Sequence, residues 1–316
     1  MTSPDSQTES LDQQLLETIT VQDRQYQKYS IDHHISFVPI DDEEEERLEI
    51  QHRVFQRVFD DRLIFPPVPR PRRVLDCGYG AGSWAIEAAL RYPGCEVRAR
   101  KAFCFKRTDR RSSKVTGVDI SSHMIPDDIP DNLWLQVDDL NRPFTFPSNW
   151  FDLVHSRLLA TGLNRSRWQS YFQDIKRVLK PGGWVQIVEI YFNVQSDNGS
   201  ITEEHGLRQW SARFMRSLED TKDLRVGTRL KTLMMGAGLV DVDARMIPLP
   251  LSAWSGDPRM REIGLANRDN VQRLFSALAH YPLTQRQHMP QEEFQALVTK
   301  AAQEADNPKI KAYFPV

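Results

Sequence analysis

Gly78-Tyr79-Gly80-Ala81-Gly82 follows the apolar pair Val74-Leu75 and Asp76, and it precedes Ser83-Trp84-Ala85-Ile86-Glu87-Ala88-Ala89-Leu90. No other stretch constrains the fold so tightly. The order is strand, acid, glycine loop and helix, the corner that holds nucleotide-type ligands in open α/β sheets. Glycines at alternate positions allow a tight turn and let a ligand approach main-chain N–H groups with no Cβ between. Those N–H groups open a helix, whose N-terminus favours negative charge such as a carboxylate. The spacing is G-x-G-x-G, whereas dinucleotide enzymes carry G-x-G-x-x-G. NAD is therefore the poorer fit.

The residues that follow complete a series. Val115-Thr116-Gly117-Val118-Asp119 reads as a second strand ending in an acid, and in doubly wound folds that acid takes the ribose hydroxyls. Leu133–Val137 is a third strand tipped by Asp138-Asp139, and Phe151-Asp152-Leu153-Val154-His155 a fourth. A helix end at 175–179, the turn Lys180-Pro181-Gly182-Gly183 and a fifth strand at 184–189 close the set. This ordered series resembles the class I S-adenosylmethionine-dependent methyltransferases. The resemblance implies a doubly wound, mostly parallel, seven-stranded Rossmann-like sheet and S-adenosylmethionine as cofactor. It assigns Gly78, Gly80 and Gly82 to close cofactor approach, Asp76 to the loop and the ligand's amino group, and Asp119 to the ribose. Asp138 goes to the adenine amino group ahead of Asp139, although an Asp pair after a strand also suits a plain turn.

A narrower likeness covers nearly the whole chain. Asp41-Asp42-Glu43-Glu44-Glu45-Glu46-Arg47-Leu48-Glu49-Ile50-Gln51-His52, His155-Ser156-Arg157, Met260-Arg261-Glu262-Ile263-Gly264 and Asn307-Pro308-Lys309-Ile310-Lys311-Ala312-Tyr313-Phe314 resemble the fungal LaeA-like methyltransferases. That family implies a fold encoded by secondary-metabolite gene clusters or by their regulators, and these motifs do not separate the two roles.

At 316 residues, one α/β domain of about 250 residues plus extensions is expected. Net charge is −2, so no nucleic-acid partner is expected. Cys77, Cys95 and Cys104 are odd in number and lack metal spacing, so neither a metal site nor a disulfide framework is expected. No run of 18 apolar residues suggests a membrane span. These features place the protein in the cytoplasm, with the nucleus as the alternative. Residues 1–22 read as a polar, mobile tail and 23–71 as a lid and a helix leading into the core. Tyr26, Tyr29, His33 and His34 are the lid candidates, over a methyltransferase domain spanning 72–316. Trp84 and Trp184 read as core. Within that domain, 200–238 and 257–305 read as helical substrate-side additions, separated by an alternating strand at 239–246.

Two features break the pattern. The second strand is interrupted by a basic insertion, residues 98–115. Asp76 and Asp119 lie 43 residues apart, and without that segment 25, close to the roughly 20 usual between a glycine loop and its ribose acid. An inert surface loop and a nuclear or nucleic-acid patch both fit. A retained in-frame intron is favoured, because Val97-Arg98 and Lys114 can be encoded by splice-donor and splice-acceptor sequences. Second, the chain stops at Phe314-Pro315-Val316, where the family's last strand should slot between the fifth and sixth. That strand is then either very short or truncated.

His155 is a weak candidate for a general base, because an unperturbed imidazole titrates near neutrality. Arg157 is a weak candidate for a structural or substrate-carboxylate contact. The favoured function is methylation of a small-molecule acceptor in fungal secondary metabolism. A LaeA-like regulatory protein, with protein partners the sequence does not specify, and an inactive pseudoenzyme are the alternatives.

Overall fold

The structure, a computed structural model, describes residues 12–93 and 114–316. The chain opens with a short turn at Gln13–Leu16 and a hairpin of β1 (Thr18–Val21) and β2 (Arg24–Gln27). Gln22 and Asp23 both take positive φ, which suits the twist of a two-residue hairpin. Residues 12–22 therefore belong to the fold, contrary to their polar composition. Ile19 and Val21 pack on the core, and Gln27 Nε2 donates to the Leu15 carbonyl at 2.7 Å.

Helix α1 (Lys28–Asp32) leads to α2 (Asp42–Val58). Asp41 caps α2, accepting from the Glu44 N–H at 3.1 Å, and four acids fill the first turn, where the helix dipole favours them. The same carboxylate accepts from Arg24 at 2.7 and 2.9 Å, so one acid starts the helix and ties the hairpin to it.

β3 (Arg73–Cys77), α3 (Ser83–Arg91), β4 (Lys114–Asp119), β5 (Leu133–Val137), β6 (Phe151–Arg157), α4 (Trp168–Val178) and β7 (Leu179–Val188) build the central layer. The five strands are parallel, in the order β5-β4-β3-β6-β7. Chain order reverses beside β3, which places the ligand crevice at the carboxyl ends of the strands. Val74, Leu75 and Cys77 of β3 are fully buried, as a strand covered on both faces requires. Of the proposed insertion, only Lys114 and Val115 fall within the described residues, and they open β4 in register with Arg73 and Val74. Trp84 is buried, whereas Trp184 is only half-buried at the edge of the same apolar cluster.

Beyond the sheet come β8 (Gln195–Ser196), α5 (Gly206–Leu218), α6 (Leu230–Gly236), β9 (Pro248–Pro250), α7 (Pro258–Tyr281), α8 (Gln291–Asp306) and β10 (Ala312–Pro315). The expected seven-stranded sheet is realised differently. Five strands form the parallel sheet, and β8-β10-β9 form a separate antiparallel one. Just past β7, the Tyr191 N–H donates to the Pro315 carbonyl at 2.8 Å. The last strand in chain order, β10, is four residues long and lies between β8 and β9, outside the parallel sheet. The expected strand at 239–246 is absent. Val240 is 79% and Met246 70% exposed, so the alternation there has no face to bury.

Candidate functional site

A cavity of about 200 Å³ opens at the carboxyl ends of β3, β4 and β6. Its floor is the glycine loop. Gly78, Gly80 and Gly82 all have φ between 56° and 79°, the left-handed region that only glycine enters freely. A Cβ on Gly78 would overlap Leu159, and one on Gly80 would meet Leu48 of α2 at 3.5 Å.

Asp119 is held at the rim. Its Oδ2 accepts from the Gly80 N–H at 2.9 Å and its Oδ1 from the Ser121 N–H at 3.2 Å. Burial raises its pKa against those two donors. Asp76 sits deeper, 2% exposed, and its Oδ2 has no hydrogen-bond partner. Burial pushes it up to about 7; the charge of Arg157 pulls it down, and that of Asp119 adds to the rise. Asp76 is not among the residues that line the cavity; it lies just before the glycine loop, with one carboxylate oxygen unpartnered.

Asp139, not the favoured Asp138, lines the cavity. Asp138 turns back to accept from the Asp139 N–H at 2.8 Å. Asp139 accepts from the N–H and side-chain amide of Asn141 at 2.9 and 3.1 Å, which shapes the wall after β5.

The roof is the segment from β2 to α2, but none of the four expected lid residues lines the cavity. Gln27, Ser30, Ile35, Val38, Glu44 and Arg47 do. Tyr26 is buried behind them, with its hydroxyl 2.7 Å from His280 Nδ1. Tyr29 and His33 stack on each other with ring centroids 4.0 Å apart, and His34 is exposed beside Phe37. Their aromatic character marks the segment as packed, and the packing uses its outer face. Glu44 and Arg47 were hidden in an acid-rich helix start. Both are buried, paired at 2.6 and 2.8 Å, and Arg47 donates to Asn270 of α7 at 2.9 Å.

His155 faces away from the cavity. Its ring stacks on Trp84 at 3.8 Å and its Nδ1 lies 2.9 Å from Gln186 Nε2. Burial, then the charges of Arg157 and His52, hold it well below its ordinary value. Strand alternation explains this, because His155 shares a face with Leu153 and the α3 cluster. It does not reach an acceptor in the cavity as a base. Arg157, two residues on at the strand tip, does line the cavity.

Two further polar side chains shape the walls, and sequence reading missed both. Glu189, 4% exposed, accepts from the N–H groups of Leu159 and Ala160 at 2.8 and 3.2 Å, fixing the turn after β6. Burial pushes it up to about 8, against those two bonds. Lys222, fully buried, donates to the Ile35 carbonyl, the Gly162 carbonyl and Asn164 Oδ1 at 2.8 to 3.0 Å. It staples the roof to the loop after β6. Among the described residues no cluster of three metal-ligating side chains occurs, and no helix is long and apolar enough to cross a membrane.

The methyltransferase-domain family profile matches residues 50–244. The secondary metabolism regulator laeA of Monascus pilosus is 30% identical over 289 residues, covering 88% of this chain and 71% of that protein. The secondary metabolism regulator LAE1 of Cochliobolus heterostrophus is 29% identical over 283 residues, covering 87% and 85%. The protein-methionine methyltransferase laeA of Emericella nidulans is 29% identical over 287 residues, covering 88% and 69%. Among solved structures, human N-acetylserotonin methyltransferase superposes with a TM-score of 0.39 at 18% identity, covering 64% of this chain and 52% of its own. With its five-stranded parallel sheet, its glycine-loop cavity and these relatives, the chain belongs to the methyltransferase-domain family and, within it, to the LaeA-like proteins, whose fold takes S-adenosylmethionine as cofactor.

Proposed function

We propose that this chain transfers a methyl group from S-adenosylmethionine to a small, largely apolar acceptor. The observation that carries the reading is the roof. Residues between Gln27 and Gln51 close over the glycine loop and line the cavity with it, so an acceptor reaches the cofactor beneath a segment of this chain. Its far wall, from Leu158, Leu159, Leu163, Phe192 and Leu278, is apolar.

The residues present suit the cofactor. Asp119 would take the ribose hydroxyls, Asp76 the methionine ammonium and Asp139 the nucleoside side. When bound, S-adenosylmethionine supplies a methyl on a cationic sulfur, which an acceptor oxygen, nitrogen or carbon takes as the carbon–sulfur bond breaks and the acceptor's proton leaves. The chain's part is to align and to exclude water, which can supply much of the acceleration. Lys222 and Glu189 serve this by holding the roof and the turn after β6. No base is needed unless the acceptor is a weakly acidic hydroxyl.

The names of the relatives favour a second reading, in which the chain regulates secondary metabolism or methylates protein. One experiment separates them. S-adenosylhomocysteine is titrated by calorimetry, then labelled methyl transfer is followed to phenols, indoles and small acids, and to the proteins of a fungal extract. Micromolar binding, lost at least tenfold in Asp119→Ala, and a labelled small molecule are the expected result; loss of one charged hydrogen-bonding group accounts for that factor. Label in protein alone favours the second reading. No binding by a folded chain overturns both as enzymes.

A further inference from the structure

The first half of α2 faces the cofactor cavity with Glu44, Arg47, Leu48 and Gln51, a spacing that puts all four on one stripe of the helix. Leu48 rests close to the glycine loop, where a Cβ on Gly80 would meet it at 3.5 Å. The other three are polar, yet Glu44 is 0%, Arg47 3% and Gln51 5% exposed. Polar groups withdrawn from water to this degree need partners. Glu44 and Arg47 have theirs. The carboxylate accepts from Nε and one terminal nitrogen of Arg47 at 2.8 and 2.6 Å, and the other terminal nitrogen donates to Asn270 at 2.9 Å. Asn270 donates to Asn267, and Asn267 to the Pro250 carbonyl, both at 2.8 Å. The guanidinium is thereby anchored through α7 to β9, with its charge offset in place.

Gln51 is different. Its side-chain amide makes no hydrogen bond to another described residue, although it is buried and lines the cavity. The cavity's other amides are engaged. Gln27 donates to the Leu15 and Ile120 carbonyls at 2.7 and 2.9 Å and accepts from the Ser30 hydroxyl at 2.5 Å. Asn141 donates to Asp139 and the Gly162 carbonyl at 3.1 and 3.2 Å and accepts from the Asn164 N–H at 2.7 Å. Arg47 also has capacity left, because a guanidinium carries more N–H bonds than the three engaged here. An arginine with unused donors and a free amide one helical turn along thus border a space otherwise walled by Ile35, Leu163, Phe192 and Leu278.

We propose that Arg47 and Gln51 are the polar contact for the methyl acceptor, which is then an uncharged, mostly apolar molecule carrying a carbonyl or hydroxyl oxygen. Such an oxygen can accept from Arg47 or from the Gln51 amide, and a hydroxyl can donate to Gln51 Oε1. A carboxylate suits the site less, because Glu44 already offsets Arg47 and lines the same space. This rests on the reading of the cavity as a methyl-transfer site.

The test uses ring-matched probes, 4′-hydroxyacetophenone, 4-hydroxybenzoate and 4-isopropylphenol, titrated into the chain saturated with S-adenosylhomocysteine and followed by ligand-observed NMR. They differ in one group: a ketone, a carboxylate, or a branched alkyl group with no oxygen. The ketone is expected to bind roughly tenfold more tightly than either of the others, the factor of one hydrogen bond to a charged group. Gln51→Leu should weaken the ketone by roughly tenfold and melt no lower than wild type, because its amide has no protein partner to lose. S-adenosylhomocysteine binding should stay within about twofold, since no hydrogen bond to the cofactor is removed. Glu44→Gln leaves the Arg47 charge unopposed and should reverse the order, carboxylate over ketone. If Glu44→Gln does not fold, Gln51→Leu and the wild-type order carry the test. No preference for the ketone, no binding of any probe, or unchanged ketone affinity in Gln51→Leu overturns the proposal. So does a Gln51→Leu that melts lower and loses all probes equally, or one whose loss falls on S-adenosylhomocysteine, which would place the stripe on the cofactor. If S-adenosylhomocysteine itself does not bind the wild-type chain, the cofactor reading falls; if it binds and the probes fail, only this inference does.

Discussion

Glycine and glutamate at this site fail for different reasons when replaced. Gly78 has φ of 78°, and a Cβ there would run into Leu159. Gly78→Ala should therefore both destabilise the fold and shrink the cavity. A loss of about 1–3 kcal/mol fits a strained left-handed residue, read by urea unfolding, with weakened S-adenosylhomocysteine binding alongside. Glu189 is a matter of charge. Its folded value near 8 lies above the ordinary 4.5, so the folded state holds its proton longer than the unfolded chain does. Stability from this group is complete below pH 4.5, falls as pH rises to about 8, and is level above. Glu189→Gln removes that dependence. The gap between wild type and variant in urea melts should shift in the variant's favour between pH 5.5 and 8.5, and a constant gap would contradict it. The places of Gly78, Gly80 and Asp119 on the cavity were legible in the sequence because a strand, a loop and a helix start are local patterns. Glu189 and Lys222 were not, because only burial among distant segments distinguishes them from surface charges.

The roof is where element-level reading succeeded in outline and failed in detail. Aromatic density between Tyr26 and Phe37 signals a packed segment, and the structure does pack it over the cavity. The inward face, however, is set by a hairpin turn of Gln22-Asp23 and the short helix α1, neither of which carries glycine or a strong period. The element is held at its far end by Lys222, whose ammonium has three oxygen partners. Burial lowers it to about 7. Lys222→Met keeps the apolar stem but leaves the Ile35 carbonyl without this donor, while the Gly162 carbonyl keeps the Asn141 side-chain amide at 3.2 Å. Leaving a buried acceptor unmatched costs about 1–3 kcal/mol. Amide exchange at residues 33–40 should accelerate at least tenfold, while exchange in β3 and β6 changes little. Uniform acceleration across the sheet would show that Lys222 supports the whole fold and does not act as a local staple.

At the scale of the molecule, the sheet core was readable because parallel strands buried on both faces are near-continuous apolar runs with acids at their tips. The last two strands were not, because their identity depends on pairing across more than sixty residues. Alternation at 239–246 pointed to a strand, yet the pairing partner of β10 begins at Pro248 and the alternating residues lie in solvent. Phe314 and Val240 test this arrangement together. Phe314 is 1% exposed and meets Phe192 edge-on with centroids 5.7 Å apart, in the cluster that includes Trp210. Phe314→Ala should cost about 3–5 kcal/mol, as deletion of a buried ring does, and lower the melting temperature by roughly 10 °C. Val240→Asp, at a position 79% exposed, should change stability by no more than about 0.5 kcal/mol. Were 239–246 a paired strand with Val240 inside, the two substitutions would be comparably severe. Equal losses in a calorimetric melt would therefore refute the short three-stranded sheet, and a large loss confined to Phe314→Ala would show that four residues at the C-terminus close the core.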